Sequence, residues 1–297
     1  MAVVLITGCG SGIGRVTAQR LAELGHNVHA GVRHGDQAPP GRARAVGSLT
    51  YVPLDVTDPA QAQRAVTDVL AEFGRIDALV NNAGSSMFAA LEETSDDDLR
   101  AIFETNTVGS LRLARLVLPA MRGQGAGTII NISSLAGFAP RPYLGAYAAS
   151  KSALEALSFC LAAEVREFGV RVVVVSPGSF KTGSHLKRRP PGVDCGVERY
   201  RAVLAAKKRE SVEFKVGRDP IEVANVIADC IASAAPPARV FVGADAERLA
   251  AERRSLADDE YVDRLATAIG AYGPGPPMPA LPRRRPGINA LRPWNLQ

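Results

Sequence analysis

Runs of apolar, β-branched residues recur along this chain, separated by longer amphipathic stretches. The first is Ala2-Val3-Val4-Leu5-Ile6-Thr7, and Asn27 to Val32, Tyr51-Val52-Pro53-Leu54, Ala78-Leu79-Val80, Arg171 to Val175 and Arg239-Val240-Phe241-Val242 follow. Continuous apolar runs of this length read as strands buried on both faces, as in a parallel sheet. Between them lie helical patterns. Val16, Leu21 and Leu24 recur at helical spacing after the first run, and Asp58-Pro59 supplies an N-cap followed by a proline at the first helical position. Ser95 with Asp98 forms a capping-box pattern, which opens a helix expected to run through Asn106 to about Arg122. Asp219-Pro220 opens another, ending near Ser233, and a last helical region reaches about Ile269. Strands alternating with helices predict the α/β class: a doubly wound parallel sheet in three α/β/α layers, one domain over residues 1–270. The rhythm breaks over 179–218, where Lys187 to Gly192 is polar and proline-rich before an amphipathic stretch around Tyr200 to Ala206. The tail, 271–297, is rich in Pro, Gly and Arg, holds Trp294 and has no apolar periodicity, so it is expected to have no independent fold.

Composition narrows the function. The chain has 297 residues, 46% of them hydrophobic and 22% charged, which suits one globular domain with a sizeable core and some extra length. Its net charge is +5, but the basic residues are spread among 30 acids, which argues against a dedicated nucleic-acid surface. The basic clusters at Lys187-Arg188-Arg189, Lys207-Lys208-Arg209 and Arg283-Arg284-Arg285 read as solvated faces. No apolar run approaches a membrane span, and the first strand follows Met1 too closely for a signal peptide, so a cytoplasmic location and no membrane partner are expected. Cys9, Cys160, Cys195 and Cys230 lie far apart, with no histidine at metal-ligand spacing, so neither a disulfide framework nor a metal site is expected.

Two segments carry chemistry. Tyr147 and Lys151 stand four residues apart in Tyr147-Ala148-Ala149-Ser150-Lys151, which puts a phenol and an ammonium on one face of a helix. A free phenol has a pKa of about 10, and a nearby cation favours the phenolate and brings a proton within reach of neutral pH. The second segment is Gly8-Cys9-Gly10-Ser11-Gly12-Ile13-Gly14, between the first strand and the first helix. Strand, glycine-rich turn and helix make a phosphate cradle: glycines allow close approach of the backbone, and the helix N-terminus supplies N–H donors and the positive end of a dipole. Cys9 sits in that turn beside a helix N-terminus, where a thiol pKa can fall, although packing against the bound group is the role expected of it.

With Thr7-Gly8-x-x-x-Gly12-x-Gly14, Asp55-Val56, Asn81-Asn82-Ala83-Gly84, Asn106, Asn131-Ile132-Ser133-Ser134, Tyr147 to Lys151 and Pro177-Gly178 in this order, the chain resembles the short-chain dehydrogenase/reductase family in its single-domain form. The resemblance runs from Ala2 to about Gly243 and implies a Rossmann fold binding a nicotinamide dinucleotide. It implies Tyr147 as catalytic acid/base, Lys151 as the residue that lowers its pKa and holds the nicotinamide ribose, Ser134 as donor to the substrate oxygen, and Asn106 as support for a relay water. Ser133 is passed over because the family's spacing to the tyrosine selects the second serine. Cofactor contacts are implied at Gly8, Gly10, Ser11, Gly12, Ile13, Gly14, Asp55, Val56, Asn82, Ala83, Gly84, Pro177, Gly178, Phe180 and Thr182. Asn81 and Asn82 read equally as turn residues holding adjacent loops. The family pairs subunits through the helices carrying Asn106 and Tyr147, so a homodimer or homotetramer is implied. In this family the 179–218 segment also serves as a substrate lid.

The second strand decides the cofactor. An NAD enzyme usually ends it with an acid for the ribose 2'-hydroxyl. Here Val32 takes that place and Arg33 follows, whose planar fork suits a phosphate, so NADP(H) is expected over NAD(H). His34 and Asp36 lie farther along the loop. The expected reaction interconverts a carbonyl and an alcohol, because hydride transfer to a ketone builds negative charge on an oxygen that a hydroxyl donor and a proton source must meet. Similarity to the 17β-hydroxysteroid and retinol dehydrogenase branch implies a bulky apolar small-molecule substrate of steroid, retinoid or polyketide type, with Phe180, Tyr143, Leu144, Met87 and Phe88 as lining candidates. Two alternatives stand beside it: a cofactor-sensing protein without turnover, and an NAD-dependent alcohol dehydrogenase of the same family.

Overall fold

The computed structural model describes residues 1–33, 47–182, 196–198, 200–205 and 217–270. His34, Asp36, the stretch from Lys187 to Gly192, Cys195, all three basic clusters and the tail with Trp294 lie outside them.

Seven strands form one parallel sheet in the order β3-β2-β1-β4-β5-β6-β7. They are β1 (Val3–Ile6), β2 (Asn27–Val32), β3 (Ser48–Pro53), β4 (Ala78–Asn81), β5 (Gly127–Ile132), β6 (Val170–Pro177) and β7 (Arg239–Val242). Leu5 of β1 stands between His29 of β2 and Leu79 of β4. The chain first builds outward from β1 through β2 to β3, then returns across β1 to place β4 on its other side. That reversal leaves a crevice at the carboxyl ends of β1 and β4, where doubly wound sheets take their ligands.

The apolar runs are continuous because both faces of the sheet are covered. Val4 and Ile6 join Leu21, Val28, Ile130, Val173 and Ile227 in one buried cluster beneath α1 (Gly12–Glu23). Val3 and Leu5 point the other way, into Val66, Val69, Leu79, Leu113, Val117 and Ile129 beneath α2 (Pro59–Phe73). A fully buried Leu or Ile side chain contributes about 1.5–3 kcal/mol, so these two layers dominate stability. Asp58 caps α2 by accepting from the Ala60 and Gln61 N–H groups at 2.8 and 3.1 Å. Ser95 and Asp98 exchange the two bonds of a capping box at the start of α3 (Asp96–Phe103).

The helix expected to run to about Arg122 is helical throughout but changes pitch. A π turn over Glu104–Val108 separates α3 from α4 (Gly109–Gln124). Further helices among the described residues include α5 (Leu135–Phe138), α6 (Gly145–Val165), α7 (Ile221–Ala232), α8 (Ala244–Ser255) and α9 (Asp258–Gly270). Among the described residues, no helix is long and apolar enough to cross a membrane.

Candidate active site

The glycine-rich turn is fixed by its neighbours rather than by itself. Thr7, at the end of β1, accepts through Oγ1 from the N–H groups of Asn82 and Ala83, at 3.0 and 2.9 Å. Asn82 answers by donating Nδ2 to the carbonyls of Thr7 and Gly8, at 2.9 and 3.2 Å. Four bonds thus tie the ends of β1 and β4 together across the crevice, and both amide protons of the Asn82 side chain are spent on them. Gly14 is where a side chain has no space: a Cβ there would come 2.3 Å from Asn82 Nδ2 and 2.5 Å from the Gly8 carbonyl oxygen. Gly12 has φ +58°, and a Cβ on it would come 3.0 Å from the Thr182 carbonyl oxygen. The segment after β6 therefore lies over the turn at Thr182. Ser11 stands at the N-cap of α1 in extended backbone, with no side-chain capping bond. Gly10 accepts from the guanidinium of Arg15, and Ile13 is half-buried beside the apolar cluster.

Cys9 is fully buried, donates to the Ile6 carbonyl and is pushed well above the ordinary thiol range by desolvation. Desolvation raises the thiol rather than lowering it, which leaves Cys9 the packing role expected of it. Asn81 lies beneath the crevice floor, with Nδ2 donating to the Ser110 carbonyl and to Asn131 Oδ1. Of its two possible roles the structure gives it the bracing one. Asp55 folds back on itself, its Oδ1 accepting from the N–H and hydroxyl of Thr57 at 2.9 and 2.8 Å. Val56 is buried against Gly109, and its carbonyl accepts from Arg112. Arg33 is exposed immediately beyond β2.

The acid/base candidates converge at the carboxyl ends of β4 and β5. Lys151 is buried, and its Nζ donates to the carbonyl of Ile132, the last residue of β5, at 2.7 Å. That bond pins α6 two residues before Ser134, and Tyr147 stands half-buried one helical turn away. Burial pushes the Lys151 ammonium down to about 8, opposed in part by the carboxylate of Glu155. Ser134 opens α5 and accepts through Oγ from the Ala136 N–H at 3.2 Å, a bond that leaves its hydroxyl proton able to donate. Asn106 is fully buried in the π turn, the kind of local distortion that often marks functional sites. Its Oδ1 accepts from the Ser85 N–H at 2.8 Å, and its Nδ2 donates to the Ser85 carbonyl and to Ser150 Oγ, both at 2.9 Å. Ser150 in turn donates to the Tyr147 carbonyl at 2.7 Å. With both amide protons engaged, Asn106 can hold a water only through acceptors. A Cβ on Gly84 would lie 3.4 Å from Asn106 Oδ1 and 3.6 Å from Lys151 Nζ, so these three residues share one space.

Beyond β6, Gly178 donates to the Val242 carbonyl at 3.0 Å and the Ser179 N–H to Asp245 at 2.8 Å, which sets the turn that starts at Pro177. The Phe180 carbonyl accepts from the Thr182 N–H at 2.9 Å. The Phe180 ring packs against the core beside Val240, and Met87 is buried with Ala89, Ile102 and Ala146. Both were lining candidates, and both pack into core clusters. Phe88 and Tyr143 instead join Tyr200, Val203, Leu204 and Ile269 in an apolar cluster. Tyr143 and Tyr200 meet edge-on at 6.1 Å, and the Tyr200 hydroxyl donates to Glu92 at 3.0 Å. Sequence reasoning missed Ser150 and Glu155. Glu155 repeats the four-residue step from Tyr147 to Lys151, a spacing that could have found it.

A doubly wound parallel sheet with a Tyr-Lys pair on a helix near the carboxyl ends of its strands is the arrangement of an oxidoreductase class. A family model described as short chain dehydrogenase matches residues 2–191, and the chain belongs to that family. A 3-ketodihydrosphingosine reductase from Bacteroides thetaiotaomicron is 35% identical over 271 residues, covering 90% of this chain and 98% of that protein. A short-chain dehydrogenase/reductase from Burkholderia phymatum, solved with NAD, superposes with a TM-score of 0.73 at 27% identity, over 86% of this chain and 93% of that one. A short-chain dehydrogenase from Burkholderia cenocepacia, solved with NADP, gives 0.68 at 26% identity, over 89% and 97%.

Proposed function

We propose that this short-chain dehydrogenase interconverts a carbonyl and an alcohol on a bulky apolar substrate with NADP(H), through Tyr147, Lys151, Ser134 and Asn106. One observation carries the reading: a buried lysine, held against the end of β5 and pushed down to about 8, one helical turn from a half-buried tyrosine. A dinucleotide is supported by the glycine-rich turn at the carboxyl end of β1, which leads into the N-terminus of α1, where backbone N–H groups can meet the pyrophosphate. The bound cofactor supplies the hydride in reduction and accepts it in oxidation. This chain's residues handle the proton and the charge. Tyr147 delivers a proton to the carbonyl oxygen as negative charge grows there, and Ser134 fixes that oxygen with its hydroxyl. Lys151, while charged, favours the phenolate left behind, and a water held at Asn106 passes the proton back.

Arg33, with no acid at Val32, supports NADP(H) over NAD(H) by offering a fork to the 2'-phosphate. The apolar cluster of Phe88, Tyr143, Tyr200 and Leu204 supports a bulky apolar substrate, and a relative named as a 3-ketodihydrosphingosine reductase supports a ketone. Val108 and Leu157, exposed near and on the helices that the family uses for assembly, support a homodimer or homotetramer. A cytoplasmic location belongs to the same reading. Following NADPH consumption against steroid, retinoid, polyketide and long-chain ketones, with NADH in parallel, tests it. Turnover that favours NADPH and falls about 100-fold or more in Tyr147→Phe is expected. Binding of both dinucleotides without turnover of any carbonyl would favour a sensing role.

A further inference from the structure

The strongest unexplained group in the molecule is a buried charge on the same helix face as Lys151. Glu155 is 4% exposed. Its Oε1 accepts from Ser133 Oγ at 2.7 Å and from Ser176 Oγ at 3.2 Å, and its Oε2 pairs with the guanidinium of Arg239. Four elements therefore meet on one carboxylate: α6, the end of β5, the end of β6 and the start of β7. Arg239 is itself walled by aromatic rings, with Phe138 and Phe159 at 4.9 Å and Phe241 at 5.5 Å from its guanidinium carbon. Gly137 marks how near the carboxylate lies to the catalytic candidate: a Cβ there would stand 3.0 Å from both Glu155 Oε1 and Lys151 Cβ.

Burying such a pair is expensive, and a hydrophobic replacement of the same shape often serves stability as well or better. Packing alone gives no reason for it. It also explains Ser133, which the Tyr147 spacing excludes from contact with substrate and which here donates to Glu155. We propose that Glu155 is a positioning residue for the reaction: its carboxylate, held by Ser133, Ser176 and Arg239, keeps the Lys151 ammonium charged and seated against the Ile132 carbonyl. Arg239 sets how much of that field reaches Lys151, so the ring-walled arginine at β7 adjusts the catalytic cation from outside the crevice. Among the described residues, the charged and titratable groups facing Lys151 are Tyr147 and Glu155 of its own helix and, behind Glu155, Arg239 of β7, with Asn106 a neutral neighbour across the space at Gly84. Burial drives Lys151 toward neutrality and Glu155 opposes that drive.

The inference rests on the proposed role of Lys151, and its test is independent of turnover. The chain holds six lysines. Labelling them with carbon-13 at Cε and assigning Lys151 by the signal lost in Lys151→Met allows its titration to be followed by NMR in the full-length protein. Glu155→Gln removes the opposing charge, so Lys151 should titrate about one unit lower. Arg239→Met removes the cation and leaves the carboxylate, so Lys151 should titrate higher. Glu155→Asp, which keeps the charge, should stay near the wild type. Opposite shifts from the two ends of one ion pair support the proposal, because loosened packing would move both variants the same way. Shifts of one sign, or no shift in either variant, overturn it. If Glu155→Gln does not fold, the Arg239→Met arm decides: an upward shift supports the proposal and any other result ends it. A chain that turns over no carbonyl would still show the opposite shifts, so failure of this inference and failure of the proposed reaction are separable.

Discussion

At Lys151 the physical cost and the proposed function are the same fact. A buried ammonium is disfavoured, so it gives up its proton near pH 8 rather than at 10.5. Below that value the cation is present and stabilises the Tyr147 phenolate; above it, this help is lost. The kcat/KM for the dinucleotide, which reports the free enzyme, should therefore fall above pH about 8. A pH profile flat to 10 would show that Lys151 has no such part. Arg33 makes a separate case, because its charge is fixed and its worth lies in what it meets. Hydrogen bonds to a charged partner contribute about 1.5–3 kcal/mol, so Arg33→Ala should raise the KM for NADPH by about 10–100-fold. The KM for NADH should change little. Equal effects on both dinucleotides would mean that Arg33 acts on the adenine or the loop, not on the 2'-phosphate. Cys9 shows what position alone leaves open at this scale: a turn beside a helix end is compatible with a reactive or a packed thiol, and complete burial, which raises the thiol, goes with the packed one.

Elements were legible where one local rule decided them. Burial on both faces wrote β1, β4 and Val172 to Val175 of β6 as apolar runs, whereas Thr128 and Asn131 interrupt β5 and hid it, and the caps at Asp58 and Ser95 mark their helix starts. The π turn at Glu104–Val108 was not legible, because an extra residue in a helical turn leaves the amphipathic pattern on either side intact. Nor was the fate of the Phe180 and Met87 rings, which depends on what the far side of the chain brings against them. For the candidate site, the motifs singled out Tyr147, Lys151, Ser134 and Asn106, but the bonds that hold the Lys151 and Asn106 side chains run to Ile132, Ser85 and Ser150. Those partners are ordinary residues, and only tertiary packing selects them. The glycine-rich turn offers a test at this scale. In Gly14→Ala the new methyl meets the Asn82 amide at 2.3 Å and the Gly8 carbonyl at 2.5 Å, and backbone cannot step aside as a flexible side chain can. Forcing such a contact costs about 1–3 kcal/mol and displaces the bonds joining β1 to β4. The variant should melt lower and lose dinucleotide binding by calorimetry. A variant that binds as the wild type does would show the turn to be more pliable than these contacts allow.

At the scale of the whole molecule, the sheet order concentrates function at one edge of the strands and leaves the flank formed by α4 and α6 for other use. That flank carries Leu111, Leu157 and Leu161 along a shallow groove between the two helices. Leu157 is 38% exposed, and Val108, just before α4, is 42% exposed. Both stay in water in a single chain, which costs roughly 25 cal/mol for every Å² of apolar surface left uncovered. Of these two helices, α6 holds Tyr147 and Lys151, and α4 follows directly on the π turn with Asn106. Assembly through this flank would brace the elements that set the acid/base geometry without touching the crevice. Leu157→Arg should then shift a dimer or tetramer to monomer in light scattering, since burying an unpaired guanidinium costs more than the contact returns. The monomer should keep its fold by circular dichroism, because Leu157 lies outside both large core clusters. If the oligomer survives the arginine, the flank is not the contact, and the exposed leucines are ordinary surface.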